Sequence, residues 1–319
     1  MIPRLALIFA CLTTPALADA PRVLADIGPV HSMVARVMDG VGEPVLLIPA
    51  GMSPHGHSMR PSEADALTRA DLVVWVGPAL TPWLERAVET LANDAVSLAL
   101  LEAEDGEHAG EGAHDDHADH ADHAGEAAHD DHAEEHAEEA AHDGHDHGGV
   151  DPHAWLDPVT GKHWLDRIAA RLSELDPGNA IIYAANADAG KAELDALIQK
   201  IRATLAPVRG GGYITFHDAY GGFASRFDMP SLGAISVSDA IPPSAGQVSE
   251  LRDRVVASEA RCVFSEPQFD PGLVETLTEG TEARTGVLDP LGATLRPGIG
   301  LYPKLLTNLS MALETCLAK

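Results

Sequence analysis

Basic residues are scarce in this chain of 319 residues, which has 21 Lys and Arg against 49 Asp and Glu and a formal charge of −28. Proteins bind nucleic acids largely through Lys and Arg, so this balance excludes a nucleic-acid partner. Long apolar runs are also missing. Beyond the N-terminal segment no run reaches the roughly 18 to 20 residues that span a bilayer, which excludes a multi-span membrane protein.

The excess negative charge is concentrated in one segment. Residues 104–149 contain 17 Asp and Glu, 11 of the 17 histidines and no Lys or Arg. A segment of this composition has too little apolar surface to form a core, so we expect a disordered insert. His-rich tracts commonly bind metal ions, and because ordering such a loop costs entropy, its sites should be weaker than a preformed site.

The N-terminus predicts an export signal over residues 1–18. An apolar run extends from Leu5 to Leu12, and Ala16-Leu17-Ala18 fits a small-x-small cleavage pattern. A lipid anchor at Cys11 is the alternative, which the bulky Phe9 and the better downstream cleavage site disfavour. We therefore expect a soluble, exported protein.

Cysteine is nearly absent. Once the signal is removed, Cys262 and Cys316 are the two that remain. An even pair in an exported protein suggests a disulfide, and two buried free thiols are the alternative. Neither cysteine has the close spacing to a second Cys or His that is typical of a zinc finger.

The rest of the sequence alternates short apolar strands with helices on either side of one long helical stretch. A helix of about 28 residues is predicted between Asp176-Pro177 and Pro207. The predicted strands are 22–27, 45–48, 72–76 and 96–101 before it, and 213–216, 231–237, 262–264 and 286–288 after it. This alternation predicts an α/β fold with mostly parallel sheets, divided into a lobe over 19–176, a linker helix over 177–207 and a lobe over 208–319.

Three histidines outside the insert lie where a strand gives way to a loop. His55 follows the second strand, His153 comes just after the insert, and His217 follows the strand over 213–216. Asp289 occupies a similar position after the last strand. Ligands of open α/β sheets bind at the carboxyl ends of strands, and three imidazoles with a carboxylate or a water make a tetrahedral zinc site. We therefore predict His55, His153, His217 and Asp289 as zinc ligands, with water as the alternative fourth ligand.

The other three histidines outside the insert carry a weaker signal. His31 and His163 fall within helical patterns and are predicted to be ordinary surface or packing residues. The role of His57, two residues after His55, stays open.

The segments around these positions form a specific set of motifs. They are Ser53-Pro54-His55, Asp151-Pro152-His153-Ala154-Trp155-Leu156-Asp157-Pro158, Phe216-His217-Asp218-Ala219-Tyr220-Gly221, Cys262-Val263-Phe264-Ser265-Glu266-Pro267-Gln268-Phe269 and Leu288-Asp289-Pro290-Leu291-Gly292. In this order, and with a His-rich insert before the second ligand, they resemble the periplasmic zinc-binding proteins of bacterial ABC importers, the ZnuA type. The resemblance covers nearly the whole chain after the signal.

The resemblance implies two pseudo-symmetric lobes bridged by a rigid helix, with the metal between them and His55, His153 and His217 as ligands. The fourth position varies within the family. Some members have a carboxylate beside the first His, where this chain has Pro54, so Asp289 or a water remains. Manganese-binding relatives usually have a carboxylate at the position of His217, so the resemblance favours zinc.

The function that the resemblance implies is capture of Zn²⁺ in the periplasm and its delivery to the membrane permease of an ABC importer. Zinc is then the transported ligand, and the protein is expected to be a monomer that catalyses no reaction. A manganese or other transition-metal importer is the nearest alternative. A zinc hydrolase would need a general base and a substrate cleft, and no His-Glu-x-x-His or nucleophile motif is found. A pure zinc buffer would leave the histidines outside the insert unexplained.

Overall fold

The computed structural model describes residues 20–101, 151–236, 244–258 and 260–318. The predicted signal over 1–18 and the insert over 104–149 lie outside the described residues. None of the helices within those ranges combines the length and the apolar character needed to cross a membrane.

The first sheet has four parallel strands, which are β1 Val23–Ala25, β2 Val45–Leu46, β3 Leu72–Trp75 and β4 Val96–Ala99. They lie in the order β2-β1-β3-β4. Its central strand β3 reads Leu-Val-Val-Trp and is buried throughout, as expected for a strand with helices over both faces. Each of the three helices between these strands has a proline in its first turn, where the missing N–H costs nothing. These helices are α1 Gly28–Val37, α2 Pro61–Thr68 and α3 Pro82–Leu91.

Two long helices that pack against each other follow. Helix α4 covers Pro158–Leu175, and its N-terminus is capped by Asp157, whose side chain accepts a hydrogen bond from the Val159 N–H. Helix α5 covers Ala180–Leu205, which is 26 residues, and short 3₁₀ turns flank it over 177–179 and 206–208. The long helix predicted between Pro177 and Pro207 is therefore confirmed.

The second sheet repeats the first. Its strands are also parallel, and they are β5 Tyr213–His217, β6 Ala234–Ser236, β7 Cys262–Ser265 and β8 Arg284–Val287. They lie in the order β6-β5-β7-β8, so the first strand of each set is flanked by the second and third. Its helices are α6 Gly221–Phe227, α7 Ala245–Ala257, α8 Gly272–Thr278 and α9 Leu301–Leu317. The α/β fold with two similar parallel sheets is confirmed.

Helix α5 does more than connect the two sheets. One of its sides is buried, including Tyr183, Leu194, Ile198 and Ile201, and it packs against α1, α4 and α9. The largest apolar core therefore runs without interruption from the first sheet through these helices to one face of the second sheet. A smaller core lies on the other face of the second sheet.

The two remaining cysteines form the predicted disulfide. Cys262 in β7 is bonded to Cys316 in α9, with 6.1 Å between their Cα atoms. The bond fixes the C-terminal helix to the second sheet.

Candidate metal centre

Three imidazole rings meet between the two sets of strands. The Nε2 atom of His153 lies 3.2 Å from that of His55 and 3.2 Å from that of His217. Among the described residues these three form a group whose ligand atoms all lie within 4.8 Å of one another. Four Zn–N bonds of about 2.05 Å in a tetrahedron would place nitrogens about 3.3 Å apart, so the spacing suits one zinc ion.

Each imidazole is held by its own local structure. His217 is the last residue of β5, and it pairs with Ser236 of β6. The backbone N–H of His153 donates to Asp151 Oδ1 at 2.9 Å, which fixes the turn that carries this ring. The loop of His55 is anchored through Pro54, whose carbonyl accepts a hydrogen bond from the Trp83 indole at 2.9 Å.

Two carboxylates lie behind the rings. The Nδ1 atom of His217 is 2.7 Å from Glu266 Oε1, and the Nδ1 atom of His153 is 3.1 Å from Asp151 Oδ1. A carboxylate can only accept here, so Nδ1 carries the proton and each Nε2 presents a lone pair to the centre. Lone pairs that face one another at this distance repel unless a cation lies between them. The arrangement is therefore suited to holding a cation.

Neither carboxylate was among the residues predicted from sequence. Glu266 directly follows β7, and Asp151 precedes His153 by two residues. Both fall within the motifs on which the resemblance rests, but an acidic residue in a loop gives no sign of its partner. The available signal was the position of Glu266 at the carboxyl end of a strand, which is the same signal that selected the histidines.

Asp289 is not part of the three-histidine group. Its Oδ1 accepts hydrogen bonds from the N–H groups of Leu291 and Gly292, at 3.2 and 2.8 Å, and so it shapes the turn after β8. Asp289 also acts on the buried Tyr220. Burial, followed by the charges of Glu266 and Asp289, raises the pKa of that phenol well above its ordinary value. Tyr220 is thus a protonated hydroxyl beside the site.

His57 is occupied elsewhere. Its Nε2 lies 2.8 Å from Glu63 Oε2, which also accepts from the Arg60 N–H at 2.7 Å, and its ring packs against Trp83. This buried pair ties the loop after His55 to the start of α2. The structure therefore gives His57 a packing role.

The two histidines predicted to be ordinary lie in helices. His31 is buried in α1 and its Nε2 donates to the Pro44 carbonyl at 3.1 Å, while burial lowers its pKa. His163 is exposed on α4 and so provides a control position for substitution.

Comparison with known proteins finds relatives that are named for zinc uptake. A high-affinity zinc uptake system protein ZnuA from Paracoccus denitrificans is 46% identical over 306 residues, covering 95% of this chain and 94% of the relative. The ZnuA protein of Brucella suis is 42% identical over 311 residues, covering 93% and 92%. A crystal structure of ZnuA superposes with a TM-score of 0.71 at 25% identity, covering 94% of this chain and 100% of that one.

The match to a family model is as extensive. Residues 23–316 fit the model described as ZnuA, zinc-uptake complex component A, periplasmic. That range includes both sheets, the long helix, the three converging histidines and both cysteines of the disulfide. The chain therefore belongs to the ZnuA family of periplasmic zinc-uptake components.

Proposed function

We propose that this chain is a high-affinity zinc-binding solute-binding protein that captures Zn²⁺ and delivers it to the permease of an ABC importer. The observation that carries the proposal is the convergence of three Nε2 atoms, two of them backed by carboxylates. Relatives that share 42 to 46% of their residues with it are named high-affinity zinc uptake proteins. Neutral imidazole is a borderline ligand that suits Zn²⁺ better than Mn²⁺.

In this proposal the ligands are His55, His153 and His217, and the fourth position is held by Asp289 or by water. The ligands come from both predicted lobes, 19–176 and 208–319, so that zinc is bound between them while the helix over 177–207 keeps them in place. The protein acts in the periplasm as a monomer and catalyses no reaction. The His-rich insert serves as a secondary, weaker capture site.

The test is the zinc affinity of the chelator-stripped protein, measured by competition with a chromogenic chelator. His217→Ala should weaken binding at least tenfold, because it removes the one imidazole that the second sheet contributes. His163→Ala, at an exposed position on α4, should leave the affinity unchanged. Equal effects of the two substitutions would refute the ligand assignment, and preferential retention of Mn²⁺ would refute the choice of zinc.

The fourth ligand is tested by Asp289→Asn. An asparagine keeps an oxygen that can accept from the N–H groups of Leu291 and Gly292, so the turn should survive while the carboxylate is lost. If Asp289 is a ligand, zinc affinity falls by an order of magnitude or more. If water is the ligand, the affinity stays within a few fold of the parent protein.

A further inference from the structure

The proposed site has a charge imbalance that its ligands do not remove. This step rests on the proposed function, in which three neutral imidazoles bind Zn²⁺. The ion brings two positive charges to a place where His153 and His217 are both buried. Imidazole donors contribute no charge, and Asp289 as the fourth ligand would supply one negative charge at most, so the remaining compensation must come from groups outside the ligand set.

Glu266 is placed to supply that compensation. Its side chain is 1% exposed, and its Oε1 lies 2.7 Å from Nδ1 of His217. It directly follows β7, which neighbours β5, the strand that ends at His217. Because this carboxylate is buried, it acts on a nearby cation with little screening by solvent.

Asp151 makes the same contact in a different environment. Its Oδ1 lies 3.1 Å from Nδ1 of His153, but its side chain is 41% exposed. Water and salt screen an exposed charge far more than a buried one. Two carboxylates with matching geometry and unequal burial therefore form a natural pair for separating the effect of charge from that of position.

We propose that Glu266 is a positioning and specificity-determining residue, whose buried charge makes the site select divalent over monovalent cations. The carboxylate orients His217 by accepting its Nδ1 proton. Its field also stabilises a bound ion in proportion to the charge of that ion. Loss of the charge should consequently lower the affinity for Zn²⁺ by a factor that is the square of the factor for Cu⁺, since both ions have filled d shells and accept imidazole.

The experiment compares Zn²⁺ and Cu⁺ affinities, the latter under anaerobic conditions, in the parent protein and in Glu266→Gln. Glutamine keeps an oxygen that can accept from Nδ1 of His217 and removes the charge. Zn²⁺ affinity should fall by about 10- to 100-fold, the range found for partners of metal-bound histidines, and Cu⁺ affinity by about 3- to 10-fold. The Zn²⁺ preference then falls by about 3- to 10-fold.

Three further variants make the result specific. Asp151→Asn should shift the preference in the same direction but less, because Asp151 is the more exposed carboxylate. Glu266→Asp keeps the charge and should keep the parent preference, even where the shorter side chain weakens both affinities. Glu275→Gln, at an exposed position on α8, should change neither metal. The d–d absorption of bound Co²⁺ should be retained in Glu266→Gln, which shows that the ligand geometry survives.

The outcomes separate this proposal from the one on which it rests. If the parent protein binds zinc tightly, His217→Ala weakens that binding at least tenfold, and Glu266→Gln weakens the binding of both metals equally or of neither, then the site stands and the charge role of Glu266 is wrong. If Glu266→Gln does not fold, an unchanged metal preference in Asp151→Asn overturns the charge argument. If His217→Ala binds both metals as tightly as the parent protein does, the site itself is wrong.

Discussion

At the scale of single residues, Asp26 is a buried carboxyl group away from the proposed metal site. It follows β1, is fully buried, and accepts hydrogen bonds from the N–H groups of Ile27 and Val76 at 2.7 and 2.8 Å. Burial outweighs these bonds and raises the pKa of Asp26 to about 7. The residue therefore links β1 to the end of β3 at a cost that depends on pH.

The sign of that dependence follows from the two protonation states. Between the ordinary pKa of an aspartate, near 4, and the value of about 7 in the folded protein, the folded state holds a proton that the unfolded state has released. The free energy of unfolding should therefore fall as pH rises through this window, by about 4 kcal/mol from this group, and then level off.

Asp26→Asn tests this assignment. The variant should lose the decrease in unfolding free energy between pH 4 and 7, although the amide costs some stability at every pH by facing a backbone N–H. Asp39→Asn, at an exposed position just after α1, is the control and should follow the parent curve. Urea unfolding at several pH values gives the measurement. A parent-like slope in Asp26→Asn would show that other groups cause it.

At the scale of elements, the start of α4 joins the segment of His153 to the second sheet. Asp157 caps the helix and also receives Arg226 of α6 through both carboxylate oxygens, at 2.9 and 2.7 Å. Nearby, the Trp155 indole donates to the Pro290 carbonyl at 2.8 Å, and the Tyr302 hydroxyl donates to the Trp155 carbonyl at 2.6 Å. These contacts connect the turn that carries His153 to elements that follow His217 in the chain.

We expect Asp157→Ala to lower the free energy of unfolding by about 2 to 4 kcal/mol, because it removes a cap and a partly buried ion pair together. Asp157→Asn keeps the cap and loses the charge, so about half of that effect should remain. Asp166→Ala, which breaks an exposed ion pair between α4 and Lys191 of α5, should cost less than about 1 kcal/mol. Chemical denaturation measures all three, and equal losses for Asp157→Ala and Asp166→Ala would contradict the role of the cap.

At the scale of the whole molecule, the proposed site draws its ligands from the folded lobes, whereas the insert over 104–149 has a composition with too little apolar surface to form a core. The segments that carry the three histidines are joined to elements that share one apolar core. Their positions are therefore set before any ion arrives. The composition of the insert over 104–149 predicts disorder, so binding a metal there would require ordering its backbone, at a cost of about 1 to 2 kcal/mol for each residue fixed.

Replacing residues 104–149 with a short Gly-Ser linker should consequently leave one tight zinc site and remove several weaker equivalents. All of the proposed ligands lie outside the deletion, whereas 11 histidines lie within it. Calorimetric titration of the intact and shortened proteins gives both stoichiometry and affinity. Loss of the tight site on deletion would mean that the insert supplies its ligands.

Local patterns were enough to predict most of the elements. The central strands β3 and β7 are buried along their whole length, so their apolar runs are unmistakable. Edge strands were harder to predict, because a strand at the edge of a sheet is less buried and needs fewer apolar residues. Strand β8 lies at an edge and begins at Arg284, two residues before the predicted strand, since its first residues are exposed. Strand β2, at the other sheet's edge, is shorter than predicted.

Local sequence was sufficient for the α/β alternation, the long helix, the even cysteine pair and the three histidines. Of these histidines only His217 ends a strand in the structure, whereas His55 lies nine residues after β2 and His153 precedes a 3₁₀ turn. Each of these features can be predicted from neighbouring residues, through apolar periodicity, proline and glycine, or a short motif. The surroundings of the site depend instead on long-range contacts. His153 lies 98 residues from His55, and Glu266 lies 49 residues from His217. Contacts of this kind depend on how the sheets pack and on which carboxylate becomes buried, and no local pattern encodes either.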